Sequence, residues 1–391
     1  MTYGDDLQFS WRAATRVVFG AGKVAKLGAE AALLGTRVLV VTDPALAAMP
    51  AIVGAALDSL RAAGLEVEVF AEVESDPSIQ NIQLGVAAAR RFQPDLFVGI
   101  GGGSSMDAAK AIDMLLVCGD EVSDHVGANT VKQELLPVIA VPTTAGTGSE
   151  ASFAAVVSDH ERRLKIPLAE HAFTPRLAIL DPELTVGLPA RLTAATGMDA
   201  YAHAIDVLHS TRRQPFNDAL AHHVLRTVHR HLRQAVAAPD DITARGQMLA
   251  AACSMGFALS TTPYGIIHAL GHPLGAHFGI HHGVSVALFC APAMSWNLAE
   301  CTAIYAEAAR AAGLAAPATP DAAAAEALVE ATDALMRDLA LPRRLGELDA
   351  EVVDTAIPAL SRDAAHDVGA AFNLRDGRDP LVLEELYRSV L

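Results

Sequence analysis

A change of rhythm near residue 185 constrains this chain more than any other feature. Before it, short apolar runs recur at 37–42 (RVLVVT), 66–70 (EVEVF), 95–100 (DLFVGI), 137–141 (PVIAV) and 177–180 (LAIL). Helical patterns separate them, at 45–63, 79–92 and 104–117. Strands that are apolar throughout and alternate with helices belong to a parallel sheet covered on both faces. After Pro189 the strand signal is gone, and 192–208, 217–236, 242–259, 299–312, 322–339 and 350–360 read as helices. Some open on capping signals, such as Asp240-Asp241 after Pro239. The expectation is an α/β domain over 1–185 and an all-α domain over 186–391. The boundary lies within 181–189, and no internal repeat is visible.

Composition narrows the class. Of 391 residues, 52% are apolar and only 19% charged, so the chain has the material for two packed cores and is not a disordered one. A net charge of −16 with no long basic run argues against a nucleic-acid partner, because phosphate neutralisation needs Lys and Arg. No uninterrupted apolar stretch reaches bilayer length, and the first residues lack a signal-peptide core, so neither membrane nor secretion is expected. The cysteines Cys118, Cys253, Cys290 and Cys301 have no CxxC spacing and suit a reducing cytoplasm.

Three segments of the first half look chemical. Gly99–Asp107 (GIGGGSSMD) follows a strand and opens a helix. Its glycines let backbone approach a pyrophosphate, the helix start offers free N–H groups, and Ser104 can cap or donate to phosphate. It is not the GxGxxG fingerprint. The loop Val141–Glu150 (VPTTAGTGSE) also leaves a strand at its carboxyl end, where open α/β sheets bind ligands. Asp43 follows RVLVVT; an acid there either accepts the adenine-ribose hydroxyls, favouring NAD over NADP, or caps the helix that begins with Pro44.

The second half carries metal-ligand chemistry. Asp199 and His203 stand at i, i+4, as do His268 and His272, and His281-His282 follows where another helix should start. Imidazole and carboxylate together suit Fe²⁺ or Zn²⁺. Each piece alone is weak, since HxxxH without HExxH is common. Their density in apolar, glycine-containing sequence is the signal. His222, His223, His229 and His231 lie on a polar helix and read as solvated.

In this order and combination, the segments 16–22 (RVVFGAG), GGGSSMDAAK, PTTAGTGSE, 181–185 (DPELT) and the histidine pairs resemble the iron-dependent (group III) alcohol dehydrogenase family. The resemblance runs over nearly the whole chain and is specific. It implies the dehydroquinate synthase-like fold, with an N-terminal Rossmann-like dinucleotide-binding domain and a C-terminal helical metal domain. It also implies an NAD(H)-linked alcohol dehydrogenase or aldehyde reductase. The metal, Fe²⁺ or alternatively Zn²⁺, would be held by Asp199, His203, His268 and His282. His272 would stand near substrate and nicotinamide as a proton relay rather than a ligand. Asp43, Asp76, Gly102, Gly103, Ser104, Asp107, Thr143, Thr144, Thr147 and Lys165 would serve the cofactor, NAD rather than NADP. The partners implied are a small alcohol or aldehyde and further copies of the chain, as a homodimer or larger assembly.

The chain departs from the family pattern around the second metal pair. It reads STTPYGIIH at 260–268, and His281 stands where relatives commonly carry Pro. Pro263, Tyr264, His277 and His281 are therefore expected to shape the substrate pocket. The same fold also carries dehydroquinate-synthase-like lyases, hydroxyacid–oxoacid transhydrogenases and maleylacetate reductases. The last typically have an HHK-like segment that this chain lacks. A non-catalytic nucleotide-binding relative is disfavoured by the complete motifs.

Overall fold

The computed structural model describes Tyr3, 7–119 and 121–391. It divides into two compact units, Ala13–Gly187 and Leu188–Leu391, the latter joined by the segment up to Arg12.

The first unit is built on a parallel sheet. Its strands are β1 (Arg16–Phe19), β2 (Arg37–Val41), β3 (Glu66–Phe70), β4 (Leu96–Gly101), β6 (Val138–Pro142) and β9 (Leu177–Leu180), in the spatial order β1-β9-β6-β4-β2-β3. Alternate residues of one strand serve opposite cores. Val38 and Val40 join Leu96, Val98 and Ile139 on one face, while Leu39 and Val41 join Phe97 and Val138 on the other. That is why the inner strands β2, β4, β6 and β9 read as apolar runs, while β3 at the edge alternates Glu and Val. Helices α1 (Leu27–Ala31), α2 (Pro44–Ala47), α3 (Ala55–Ala62), α4 (Ile79–Phe92) and α5 (Gly103–Cys118) connect them. The chain turns one way from β2 to β3 and the other way to β4, so the loops after β2 and β4 flank a topological switch point, where such sheets bind ligands.

One local expectation needs correction, and two features of the sheets were not anticipated. The stretch 45–63 is not one helix, because Pro50 interrupts it between α2 and α3 with a short π-helical turn, Pro50–Gly54. Among the described residues, β1 is an edge strand paired with β9 alone. A second sheet of β5 (Gly127–Ala128), β7 (Ala154–Asp159) and β8 (Leu164–Ala169) had no visible signature. β8 carries Lys165 and Pro167, and Pro167 is tolerated because β5 pairs only with Leu168 and Ala169 beyond it. The DPELT turn also gains a physical reason. Buried Asp181 accepts hydrogen bonds from the backbone N–H groups of Gly22, Val24 and Glu183, tying the turn after β1 to the end of β9.

The second unit is all-helical: α6 (Ala190–His209), α7 (Pro215–Ala237), α8 (Ile242–Leu259), α9 (Ile266–Phe278), α10 (His282–Ala312), α11 (Asp321–Asp338), α12 (Ile357–His366), α13 (Val368–Phe372) and α14 (Pro380–Arg388). α12 begins seven residues later than the periodicity suggests, with Pro358 in its first turn, where a missing N–H does no harm. α6 is buried from Thr193 to His209. Among the described residues, α10 alone is long and apolar enough to cross a membrane, and 61% of that stretch is buried inside the unit, as befits a core helix. The segment before Arg12, expected with the α/β half, packs on α7 instead. Trp11 donates its indole N–H to Asn217 at 2.9 Å, and Phe9 and Trp11 meet the Phe216 ring edge-on.

His229 on α7 is not solvated as its polar surroundings suggest. Its ring lies edge-to-face on Tyr201, 3.3 Å from the hydroxyl, and burial lowers its pKa to about 4. The unfolded chain binds this proton below about pH 6.5, and the folded one binds it only below about 4. Stability is therefore full above pH 6.5 and is lost as pH falls toward 4. His229→Gln should flatten that part of a stability-versus-pH curve by about 1–3 kcal/mol, as read from urea midpoints at pH 7 and pH 4.5. An unchanged pH dependence would show that His229 is solvated after all.

Candidate metal centre and nucleotide loops

Three helices of the second unit build the metal centre. α6 places Asp199, His203 and Asp206 at i, i+4 and i+7, one face of a helix. α9 supplies His268 and His272. α10 begins at His282, with His281 as its N-cap. Close approach depends on residues without side chains. A Cβ on Gly283 would lie 2.5 Å from the Ala195 carbonyl oxygen of α6, and one on Gly271 would lie 2.9 Å from Val286 of α10.

The result is a tight cluster. Asp199 Oδ1 lies 3.4 Å from His268 Nε2 and 3.4 Å from His282 Nε2, and the ligand atoms of these three residues fall within 4.8 Å of one another. His203 stands beside them rather than among them. Its Nδ1 is 3.8 Å from Asp199 Oδ1, and its ring stacks on His268 with centroids 4.2 Å apart. Asp199, His203 and His268 are buried, while the His282 side chain keeps 26% of its exposure. Asp199 Oδ1, His203 Nδ1 and His268 Nε2 are all buried without a hydrogen-bond partner. Such orphans are rare and costly, and one cation would satisfy all three, so the donor set fits a divalent metal.

The electrostatics agree. Burial alone would raise the Asp199 pKa, but the surrounding imidazoles hold it well below the usual carboxylate range. Burial, then the neighbouring His268, drops His203 to about 3. Burial would lower His268 too, but the carboxylates of Asp199 and Asp206 on either side of its ring lift it to about 9.

His272 is built differently. Its Nδ1 is 2.8 Å from Asp367 Oδ2, and its ring stacks at 5.5 Å on His282 and meets Tyr264 edge-on at 5.3 Å. Asp367 is itself held by the Gly369 N–H at 2.8 Å. Burial, then the Asp367 carboxylate beside it, pushes the Tyr264 hydroxyl well above its ordinary value. Of the expected pocket residues, Tyr264 thus borders the histidine cluster, and half-buried Pro263 precedes it. His277 is engaged by Asp363 at 2.6 Å. His281 lines a different recess, with Arg191, Leu192, Phe278 and Val284, that includes none of the four expected ligands.

In the first unit, the two loops expected to serve a nucleotide meet at the carboxyl ends of β4 and β6. The Thr143 N–H donates to the Gly101 carbonyl at 2.9 Å. Gly101 has φ 149°, a conformation L side chains rarely adopt, which turns the chain into α5. Gly102 is the N-cap without a side-chain cap, so the first N–H groups of α5 have no side chain closing them off. A Cβ on Gly103 would lie 2.7 Å from Thr147, and one on Gly102 would lie 3.4 Å from Thr144. Ser104 Oγ accepts from the Asp76 N–H at 3.1 Å, and the Asp76 carboxylate pairs with Lys165 Nζ at 2.7 Å. Asp43 caps α2, accepting from the Leu46 N–H at 2.9 Å. The two oxygens of Asp107, a residue expected to serve the cofactor, accept from Ser149 Oγ and the Val156 N–H. Its part is to fasten α5 to the threonine loop and β7.

Sequence reading missed three functional groups. Lys110, wholly buried, donates to Ser149 and Ala154 and braces the threonine loop. Asp367 holds His272 from 95 positions away, and nothing local marks it. Asp206 lies behind His268 at 2.7 Å, and its spacing from Asp199 and His203 was a visible signal.

Comparison with known proteins follows this geometry. Family models described as iron-containing alcohol dehydrogenase and as the C-terminal domain of that family match residues 14–182 and 193–390. The NAD-dependent methanol dehydrogenase of Bacillus methanolicus is 33% identical over 358 residues, covering 92% of this chain and 93% of that one. The 1,3-propanediol dehydrogenase of Klebsiella pneumoniae is 34% identical over 363 residues, with 92% and 93% coverage. A crystal structure of 1,3-propanediol oxidoreductase superposes with a TM-score of 0.94 at 33% identity, covering 98% of this chain and 100% of that one. With a parallel-sheet unit carrying glycine and threonine loops and a helical unit carrying an Asp–His cluster, the chain belongs to the iron-containing alcohol dehydrogenase family, metal-dependent oxidoreductases of the CH–OH group.

Proposed function

We propose that this protein interconverts small primary alcohols and their aldehydes with NAD(H), using one divalent cation held by Asp199, His203, His268 and His282. The observation that carries the reading is the set of buried, unpartnered ligand atoms on Asp199, His203 and His268. The similarity to enzymes named for methanol and 1,3-propanediol supports a short alcohol. The same donors suit Fe²⁺ or Zn²⁺, with iron favoured by the family.

When bound, the cation supplies Lewis acidity toward the substrate oxygen and the nicotinamide supplies the hydride acceptor or donor. The chain's own residues supply binding, orientation and proton handling. Asp199 and the imidazoles, all but His282 buried, give the cation a largely dry seat. Asp367 accepts the Nδ1 proton of His272, which leaves Nε2 as the basic nitrogen to take a proton during alcohol oxidation and return it in reduction. Gly102, Gly103 and Ser104 present backbone N–H groups and a hydroxyl to the cofactor phosphates, with Thr143, Thr144 and Thr147 opposite. The Asp76–Lys165 pair serves the nicotinamide-side ribose. Asp43, besides capping α2, faces the adenine ribose and discriminates against a 2′-phosphate. We further place the protein in the cytoplasm, where its four thiols stay reduced, as a homo-oligomer.

The test is a panel of short alcohols and aldehydes with NAD and NADP after reconstitution with Fe²⁺ or Zn²⁺. Asp199→Ala should strip the metal and abolish turnover, and a metal-replete, active variant would refute the site. His272→Ala should keep its metal by elemental analysis while kcat drops roughly a hundredfold; loss of metal would make His272 a ligand instead. Asp43→Gly should raise the NADP-to-NAD ratio of kcat/KM about tenfold or more, whereas an unchanged ratio would reduce Asp43 to a helix cap.

A further inference from the structure

α9 has an unusual start. Its N-cap is Gly265, which offers no side chain to the first N–H groups of the helix. The missing cap arrives from another helix. Asp206 of α6, fully buried, accepts from the Ile267 N–H through Oδ1 and from the His268 N–H through Oδ2, each at 3.2 Å. Gly265 is what makes room, since a Cβ there would lie 2.8 Å from Asp206 Oδ1. The same Oδ2 lies 2.7 Å from Nδ1 of the His268 ring. His268 therefore has one nitrogen against Asp206 and the other, Nε2, buried, unpartnered and 3.4 Å from Asp199 Oδ1. Behind Asp206 stands His209, with Nδ1 3.7 Å from Oδ1, itself bonded by Asn297 at 3.2 Å and by Tyr305. Asp206 is thus held by three hydrogen bonds from α9 and backed by the His209 ring.

We propose that Asp206 is a positioning residue of the metal centre. By accepting the Nδ1 proton of His268 it sets the tautomer and ring angle that aim Nε2 at the cation, and by capping α9 it fixes that helix against α6. One carboxylate therefore couples the helix start to the ligand, and Asp199, His203 and Asp206 form a single functional stripe at i, i+4, i+7. A carboxylate behind a ligating imidazole raises its basicity and removes rotational freedom, and losing it typically weakens metal binding ten- to a hundredfold. The inference rests on the metal-centre reading above.

The test is a double-mutant cycle on Zn²⁺ affinity, read by competition with a chelating dye, so no turnover is needed. The proteins are wild type, Asp206→Asn, His268→Ala and the double variant. Asp206→Asn should weaken Zn²⁺ binding ten- to a hundredfold in the wild-type background and by less than about twofold in the His268→Ala background. Equal weakening in both backgrounds would mean that Asp206 acts only as a cap, and wild-type affinity in Asp206→Asn would mean that it does not act on the metal; either overturns the inference. A wild-type protein that binds no Zn²⁺ overturns the metal-centre reading first and this inference with it. If Asp206→Asn does not fold, nitrogen-15 NMR of the zinc-loaded wild type decides. A protonated, hydrogen-bonded Nδ1 on His268 with Nε2 on the metal is expected, and coordination through Nδ1 overturns the proposal.

Discussion

The second unit depends on one buried anion. Asp199 lies in the interior of an all-helical core, where an isolated carboxylate would cost several kcal/mol in desolvation. Its immediate partners are imidazoles from its own helix and two others. Those imidazoles bring α6, α9 and α10 to distances that Gly271 and Gly283 make sterically possible. A cation would complete the arrangement, because the atoms left without hydrogen-bond partners are those with a lone pair to give. The site is assembled by helix packing rather than by a loop, which suits a centre whose ligands must stay near productive geometry.

Carboxylates recur behind the histidines. Asp206 stands behind His268 and Asp367 behind His272, each accepting from Nδ1 and each also held by backbone N–H groups. In the proposed reading the same device serves two ends: one imidazole would be aimed at the metal, and the other would be kept off it to carry a proton at Nε2. The first unit follows a comparable logic without a metal. Asp107, half-buried, and the buried Lys110 and Ser149 form a network that holds the threonine loop against α5.

Much of this was legible in the residues, for physical reasons. The central parallel strands β4, β6 and β9 announce themselves because both faces are buried and their side chains are apolar. Asp199, His203, His268 and His282 stand out because metal-ligating side chains are dense in otherwise apolar, glycine-containing sequence. The Ala154–Ala169 hairpin stayed hidden because Lys165 and Pro167 contradict a strand, and only the short reach of β5 makes Pro167 tolerable. The N-terminal segment went to the wrong half because its anchors on α7 lie some 200 positions away. His229 looked solvated because its neighbours in sequence are polar, while its neighbour in space is the Tyr201 ring. Asp367 could not be found from sequence, as no periodicity links it to His272. Asp206 could have been, since it falls on the helical stripe of Asp199 and His203.

The most direct measurement is anomalous diffraction from crystals of the metal-loaded protein, collected at the edge of the reconstituted ion. The account predicts one strong peak bonded to a carboxylate oxygen of Asp199 and to nitrogens of His203, His268 and His282 at about 2.0–2.2 Å, with His203 drawn in from beside the cluster and His272 still on Asp367. A peak elsewhere, or one whose ligands omit Asp199, would contradict it.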